Sequence, residues 1–481
     1  MIYDWKMALY WCLPVHLQEA VACLYARQLE KVNYGPVYEE WRQRFHSWQS
    51  FSRTDAEAWQ QSQLPYIVRL AATRIPYYRE QWQECNWQAV RTASDLPHLP
   101  RLAKQELRQH EQRFLVEDVD PRSLRAERTS GTTGTSLQIY RPKTMQPKWW
   151  ALYEMCRHTA GVGRESPHAR LIGRPIVRGS TTRPPFWRYN RRWQQLNCSS
   201  YHVSRATAPH YVAAMRHYGS QWIEGYGSAI AALAESAMEA GIAPLPLRAA
   251  IVSGDTLLPG MRSSIETFFQ CKCYDQYGQS EGVCMAMECP HGRMHLVPAA
   301  GIVEILQEDG SPCAPGEVGE VVATGLLNDA MPLIRYRLGD YAAWAEDQEC
   351  PCGNVHPILA HLEGRLDDYL ITTDGRKIGR LSTAVKRSPT VHSVQIVQDQ
   401  RGHAYLLIRP SHGYQPADAI AIRDDILERV GRFCIEIIEV TEIPKTLQGK
   451  TILVVRLEER LDMWRLYEPL LKKNHHTCLK T

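Results

Sequence analysis

From about residue 125 onward, short β-rich runs alternate with amphipathic helical runs, and this alternation constrains the fold more than any other feature of the sequence. The β-rich runs lie at 137–141, 169–173, 248–254 and 272–278, and the helical runs lie at 210–222 and 229–241. Strands that alternate with helices in this way form sheets that the helices cover. The sequence therefore predicts an α/β protein.

The regions on either side of this core differ from it in their predicted secondary structure. Residues 1–125 are mainly helical, because apolar residues recur at spacings of three and four in 17–30 and 55–72. A second α/β piece follows the core, with predicted strands at 391–398, 403–410 and 435–440 and a helix near 417–431. We expect a large N-terminal domain, built from a helical part at 1–125 and a core with mixed sheets at 126–365. A small α+β C-terminal domain at 366–460 and a helical, then polar, tail at 461–481 complete the chain.

Composition narrows the class of protein. The chain has 481 residues, and its 56 Lys and Arg against 52 Asp and Glu give a net charge of +4. A charge so close to neutral argues against a protein whose partner is nucleic acid. The sequence contains no long uncharged apolar run and no signal-peptide pattern, so we expect no membrane span and a cytoplasmic protein. Its 14 cysteines are then thiols or metal ligands.

A loop of small and hydroxyl residues precedes the predicted strand at 137–141. It consists of Ser130, Gly131, Thr132, Thr133, Gly134 and Thr135. Small residues let the backbone approach a ligand, and N–H and hydroxyl donors suit phosphate oxygens. It is not a Walker loop, because no Gly-Lys-Ser/Thr follows. By itself the pattern also fits a surface turn.

Four further motifs follow in order, at 248–282, 331–342, 362–378 and 443–453. Together with the Gly/Thr loop, they resemble the adenylate-forming superfamily of acyl-CoA synthetases. The sequence is most similar to the phenylacetate-CoA ligase branch and its CapK-type relatives, which are linked with capsular polysaccharide synthesis. The resemblance extends from residue 98 to about residue 457.

The resemblance implies an ATP-dependent, AMP-forming carboxylate ligase. Its substrates would be ATP, a small carboxylic acid and an acyl acceptor, which is coenzyme A, a sugar or a carrier protein. A nucleotide-binding scaffold without catalysis is the alternative within the same fold. The identity of the acid and the oligomeric state stay open. By family position the acyl pocket would lie among 201–204, 226–228 and 253–254.

Several roles are carried over from the family by position. The Ser130–Thr135 loop would hold pyrophosphate, Glu281 would bind Mg²⁺, and Ser280 would contact the α-phosphate. Lys450, in Gln-Gly-Lys-Thr, matches the catalytic lysine, whose point charge can offset the charge that builds on the α-phosphate. Asp367 matches the hinge about which the C-terminal domain rotates.

Other positions match contacts to the nucleoside. Tyr277 would lie beside adenine, with Gly254 and Asp255 on its other side. Asp340 would accept the ribose hydroxyls, and Arg365 would contact the nucleotide. The sequence departs from the family pattern at Asp255, where Glu is usual, at Thr135-Ser136 and at Gly227, where Pro is common. None of these departures removes a charge that the chemistry needs.

Cysteine spacing points to a second site. Cys289 and His295 form one pair, and Cys350 and Cys352 form another about 60 residues later. Three thiolates and one imidazole make a closed tetrahedral Zn²⁺ set of the structural type. His291 or His356 could replace His295. We prefer His295, because it precedes a predicted strand where relatives carry a His.

Overall fold

The computed structural model describes residues 5–48, 52–128, 137–174, 176–178, 180–363, 369–373, 375, 377–378, 381, 391–411, 413–430, 432–445, 451–458 and 463–472. Within these ranges the fold combines a long twisted sheet, a four-stranded sheet and helices that cover them. The prediction of an α/β chain with a further C-terminal domain is confirmed.

Helices dominate the chain before residue 125. They are α1 (Trp5–Cys12), α2 (Val15–Asn33), α3 (Pro36–Trp48), α4 (Arg53–Arg74), α5 (Pro76–Gln81) and α6 (Lys104–Gln109). The start of α4 is set locally, because Ser52 Oγ accepts a hydrogen bond from Asp55 N at 3.2 Å and Asp55 Oδ2 accepts one from Ser52 N at 3.0 Å. This capping box satisfies N–H groups that the helix leaves unpaired.

The remaining helices are α7 (Met145–Thr159), α8 (Ala208–His217), α9 (Gly227–Glu239), α10 (Pro259–Phe269), α11 (Pro416–Val430) and α12 (Trp464–Lys472). One predicted boundary was wrong. The helix placed at 210–222 ends at His217, because Gly219 adopts a left-handed conformation with φ of 62°. Trp222 then begins a strand.

The strands up to the middle of the chain are β1 (Arg125–Arg128), β2 (Gln138–Arg141), β3 (His168–Ile172), β4 (Trp187–Asn190), β5 (Gln195–Ser199), β6 (Trp222–Gly225), β7 (Ala249–Ser253), β8 (Lys272–Gly278), β9 (Met285–Glu288) and β10 (Met294–Leu296). Those that follow are β11 (Gly301–Leu306), β12 (Val318–Gly325), β13 (Tyr336–Trp344), β14 (Ile358–Glu363), β15 (Leu370–Ile371), β16 (Lys377–Ile378), β17 (Val391–Gln400), β18 (His403–Pro410), β19 (Cys434–Glu439) and β20 (Val454–Arg456).

Twelve of the described strands form one sheet in the order β11-β12-β13-β14-β10-β9-β8-β7-β6-β3-β5-β4. The block β5-β3-β6-β7-β8 is parallel, and β4 pairs with it antiparallel at one edge. Parallel strands are buried on both faces, which explains why the first four residues of β7 are all buried apolar residues. The carboxyl ends of the parallel strands meet at one edge, where open sheets of this kind bind ligands.

The four-stranded sheet has the order β19-β18-β17-β20 and carries α11. It packs on the large sheet's helices through a continuous apolar core that includes Phe268, Ile396 and Leu406. An ion pair of 3.3 Å between Arg409 Nη2 and Glu235 Oε2 crosses the same boundary. Both side chains are largely buried, so the two parts of the chain share a desolvated interface.

Candidate active site and metal centre

The carboxyl edge of the parallel strands gathers the predicted nucleotide-site residues. Gly254 and Asp255 follow β7, Ser280 and Glu281 follow β8, and the two segments adjoin because β7 and β8 are parallel neighbours. Gly254 adopts φ of 82°, a left-handed conformation that turns the chain away from the strand end. The predicted acyl-pocket segments at 201–204 and 226–228 follow β5 and β6 at the same edge.

Tyr277 and Asp340 are brought into direct contact. The Tyr277 hydroxyl donates a hydrogen bond to Asp340 Oδ2 at 2.6 Å, although the two residues are 63 positions apart. Tyr277 lies near the end of β8, and Asp340 lies on β13 next to the left-handed Gly339. An aromatic ring and a carboxylate held together at a sheet edge suit a nucleoside, the ring for the base and the carboxylate for ribose hydroxyls.

Glu281 is a buried carboxylate surrounded by donors. Its side chain is 3% exposed, and its Oε1 lies 3.2 Å from Lys104 Nζ and accepts a hydrogen bond from the Tyr336 hydroxyl at 3.1 Å. Burying a carboxylate costs free energy unless cations and donors compensate. Lys104 and Tyr336 supply a cation and a donor of this kind, and a buried carboxylate so placed is a suitable ligand for a divalent cation.

The turn that carries Glu281 is fixed by Arg141. The buried guanidinium of Arg141 donates to the carbonyl oxygen of Ser280 and pairs with Glu127 Oε2 at 2.5 Å. Arg141 is on β2 and Glu127 is on β1, so this contact joins the β1–β2 hairpin to the turn after β8. Gly282 completes the turn with φ of 67°, and a Cβ there would lie 3.0 Å from Met145 Cε.

Asp255 makes contacts that its predicted role did not include. Its Oδ1 accepts from Gly227 N at 2.8 Å, and its Oδ2 accepts from Ser228 N at 3.2 Å and from Ser228 Oγ at 2.5 Å. The carboxylate thus caps α9 from a neighbouring loop. Lys445, from the C-terminal part of the chain, is in electrostatic contact with Asp255, and burial lowers the pKa of its ammonium group.

Other predicted groups lie outside the described residues. They are the Ser130–Thr135 loop, Arg365, the hinge Asp367 and Lys450. The loop lies in the chain between β1 and β2, and Arg141 ties those strands to the Glu281 turn. The sequence reasoning assigned no role to Lys104, Arg141 or Tyr336. Lys104 is the lysine of the Leu-Pro-x-Leu-x-Lys-x-Glu-Leu stretch at 99–107, where the resemblance begins, and Tyr336 lies in the motif at 331–342, but neither pattern indicates a contact with Glu281.

The four predicted metal ligands converge. The ligating atoms of Cys289, His295, Cys350 and Cys352 all lie within 4.8 Å of one another. Cys289 Sγ is 3.6 Å from Cys350 Sγ, and Cys352 Sγ is 3.5 Å from His295 Nε2. A Zn²⁺ ion with bonds of about 2.3 Å to sulfur sets tetrahedral ligand separations of about 3.7 Å. The spacing of the four atoms fits that ion.

Two matching turns build this cluster. Cys289-Pro-His-Gly and Cys350-Pro-Cys-Gly each end in a left-handed glycine, Gly292 with φ of 74° and Gly353 with φ of 77°. Backbone N–H groups of His291 and Asn354 donate to Cys289 Sγ and Cys352 Sγ at 3.3 and 3.4 Å. Such N–H donors stabilise thiolates.

The ring of His295 is oriented by a second contact. Its Nδ1 lies 3.1 Å from the carbonyl oxygen of His356, so Nδ1 carries the proton and Nε2 faces the thiols. Ligating histidines in metal sites are held in this way. Among the alternatives, His356 contributes its carbonyl and His291 its backbone N–H, so the described geometry favours His295 as the fourth ligand.

Comparison with solved structures shows which known fold the chain has. A 2-hydroxyisobutyryl-CoA ligase in its postadenylation state, in complex with an acyl-AMP, matches with a TM-score of 0.64 at 17% identity and covers 89% of this chain and 94% of its own. The same enzyme in its thioesterification state matches with a TM-score of 0.53 at 18% identity. The chain thus has the two-domain fold of the adenylate-forming CoA ligases.

Comparison with curated sequences shows which adenylate-forming proteins the chain resembles most in sequence. Residues 370–457 match the model of the CapK C-terminal domain. Protein CapK of Staphylococcus aureus is 24% identical over 301 residues, which are 61% of this chain and 65% of CapK, just under two thirds of its length. A phenylacetate-coenzyme A ligase of Thermus thermophilus is 25% identical over 332 residues, 67% of this chain and 73% of its own. The chain is thus similar to CapK and to the phenylacetate-CoA ligases, and the resemblance that the motifs predicted is confirmed.

Proposed function

We propose that this protein is an ATP-dependent, AMP-forming carboxylate ligase. The observation that carries the proposal is the group formed by Tyr277, Asp340 and Glu281 at the carboxyl edge of the parallel strands. Several relatives are named as CoA ligases, and structural neighbours hold acyl-AMP intermediates. A nucleotide held at this edge would place its base near Tyr277, its ribose near Asp340 and its phosphates toward Glu281.

The first half-reaction requires a carboxylate oxygen of the acid to attack the α-phosphorus of ATP. A new P–O bond forms, the bond to the β-phosphate oxygen breaks, and pyrophosphate leaves. Negative charge builds on the α-phosphate, and this chemistry depends mainly on position and electrostatics. We propose that Ser280 donates to that phosphate and that Lys450 supplies a cation to it, while Ser130–Thr135 holds the departing pyrophosphate.

Glu281 fits a Mg²⁺ ligand, because it is a buried carboxylate and Mg²⁺ takes one or two carboxylates together with phosphate oxygens and water. When bound there, Mg²⁺ would neutralise phosphate charge. Lys104 occupies the cationic position beside Glu281 in this structure. We therefore propose that Lys104 holds the carboxylate ionised and oriented until the nucleotide arrives.

In the second half-reaction an acceptor nucleophile would attack the acyl carbon, and AMP would leave. Coenzyme A is the acceptor named for the relatives and bound in a structural neighbour. We propose that residues 366–460 act as the mobile lid, with Asp367 as its hinge. The higher TM-score against the postadenylation form supports a domain arrangement close to that state.

Pyrophosphate exchange tests the assignment. The purified protein should incorporate labelled pyrophosphate into ATP when the right acid is present, in a screen of aromatic, fatty, hydroxy and amino acids. Lys450→Ala should abolish the exchange, whereas the exposed Lys143→Ala should retain it. Exchange at the parent rate in folded Lys450→Ala protein would remove Lys450 from the mechanism, and a scaffold without catalysis would support exchange with none of the acids.

We also propose that Cys289, His295, Cys350 and Cys352 hold a structural Zn²⁺ ion. The ligand set is closed, with three thiolates and one imidazole, so the ion would stabilise the fold rather than bind substrate. Elemental analysis should find one zinc per chain, and Cys352→Ser should lose it while the distant Cys85→Ser keeps it. Protein purified without chelator that contains no zinc would contradict the proposal.

A further inference from the structure

Helix α2 turns its polar side toward the rest of the protein. The backbone N–H of Tyr189, on the sheet's edge strand β4, donates to Glu19 Oε1 at 2.9 Å. The indole N–H of Trp193 donates to Glu30 Oε1 at 3.0 Å. An edge strand has unpaired backbone groups that need polar partners, so a polar inner face follows from the position of α2.

The outward side of α2 is apolar. Its large apolar side chains are 43% to 65% exposed and consist of Leu17, Val21, Leu24, Tyr25 and Val32, which we call the α2 outer face. These positions fall on one stripe of a helix with 3.6 residues per turn. Surface helices normally bury such a stripe. Here the edge strand explains the inner face, whereas nothing in the packing of the described residues explains the outer one.

The exposed charged residues of α2 itself have one sign. Arg27 and Lys31 are exposed on α2, while both acidic residues of the helix, Glu19 and Glu30, are engaged on the inner side. An apolar stripe flanked by cations and free of exposed carboxylates matches an anionic surface. Two copies of this helix would bring like charges together, which disfavours self-association through the face.

We propose that the α2 outer face docks the protein onto the surface of an anionic lipid bilayer. The helix would lie in the plane of the interface, with Leu24 and Tyr25 inserted among the headgroups and with Arg27 and Lys31 against lipid phosphates. None of the described helices is both long and apolar enough to cross a membrane, so α2 would bind at the surface. The edge strand β4, which α2 contacts, would then be held near the bilayer.

Co-sedimentation with vesicles tests this inference. The full chain should pellet with vesicles of phosphatidylcholine mixed with phosphatidylglycerol and stay in the supernatant with phosphatidylcholine alone. Added salt should weaken the binding, because it screens the cations. Leu24→Glu should lower the partition coefficient about tenfold or more, given the apolar transfer free energy of a leucine. Arg27→Glu with Lys31→Glu should lower it at least about twentyfold, since each juxtamembrane cation contributes roughly fivefold.

A matched control tests whether the effect is specific to the α2 outer face or follows from a charge placed at any exposed apolar residue. Ile420→Glu, at a residue of α11 that is 43% exposed, should leave the partition coefficient unchanged. Equal thermal midpoints for all variants would show that they fold. The inference is overturned if the parent fails to bind anionic vesicles or if Leu24→Glu binds as well as the parent. It is also overturned if sedimentation finds a dimer that Leu24→Glu converts to a monomer, because a second copy would then cover the face.

Discussion

Replacement of Lys104 by methionine should destabilise the free protein, because it removes a cation that lies against the buried carboxylate of Glu281. At the observed 3.2 Å, the attraction between the two charges is about 5 kcal/mol with an effective dielectric constant of about 20. Lys104 is one fifth exposed, so water screens part of this attraction. Removal of one partner of a buried pair typically costs about 3–5 kcal/mol, and we expect about 3 kcal/mol here.

Chemical denaturation of the full chain, followed by tryptophan fluorescence, measures this loss. The double variant Lys104→Met/Glu281→Gln should recover most of it, because the buried carboxylate that Lys104 compensates is then replaced by a neutral amide.

Exposed Lys143→Met serves as the control and should change the free energy of unfolding by less than about 0.5 kcal/mol. Two results would refute the reasoning: a Lys104→Met protein as stable as the parent, or a double variant whose loss is the sum of the two single losses. Either would mean that Lys104 and Glu281 do not interact energetically in solution.

Three further outcomes follow from the described contacts. Tyr277→Phe removes the hydroxyl that donates to Asp340. The KM for ATP should rise roughly fivefold, because the loss of one hydrogen bond costs about 1 kcal/mol. An unchanged KM in exchange kinetics would show that the hydrogen bond between Tyr277 and Asp340 does not support nucleotide binding. Asp255→Ala removes the cap of α9 and should cost about 1–2 kcal/mol in denaturant titration, whereas Asp255→Asn should lose much less. His403 is hydrogen-bonded to two carboxylates, which raises its pKa, so its stabilisation is complete below its unfolded pKa and is lost as the pH rises through the folded value. His403→Gln should therefore cost more at pH 6 than at pH 9, and an equal cost at both would contradict the assignment.

The elements of the fold were well predicted wherever the hydrophobic pattern had a clear period. The runs proposed at 272–278 and 403–410 coincide with β8 and β18, because both are rich in apolar and β-forming residues. The end of α8 was misplaced, since Trp222 reads as part of an amphipathic helix until the turn at Gly219 is known. The local hydrophobic pattern of a sequence predicts whether a segment is a helix or a strand better than it predicts where that helix or strand ends.

The candidate sites differ in how much the sequence revealed. The Cys/His cluster could be predicted from the sequence, because Cys289 and His295 form one closely spaced pair and Cys350 and Cys352 form another, and the fold brings the two pairs together. The contact of Lys104 with Glu281 could not be predicted from the sequence, because it joins residues 177 positions apart through tertiary packing alone. The cap that Asp255 places on α9 was missed for the same reason.

Transfer of oxygen from the acid to AMP tests the central claim most directly. The acid that supports exchange would be labelled with ¹⁸O in its carboxylate and incubated with ATP, magnesium and an acceptor, and the nucleotide products would be analysed by mass spectrometry. An acyl-adenylate pathway predicts that the AMP carries one ¹⁸O, because the carboxylate oxygen stays on phosphorus when the acyl group leaves. The appearance of ADP together with ¹⁸O-labelled inorganic phosphate, or of AMP without label, would contradict the account.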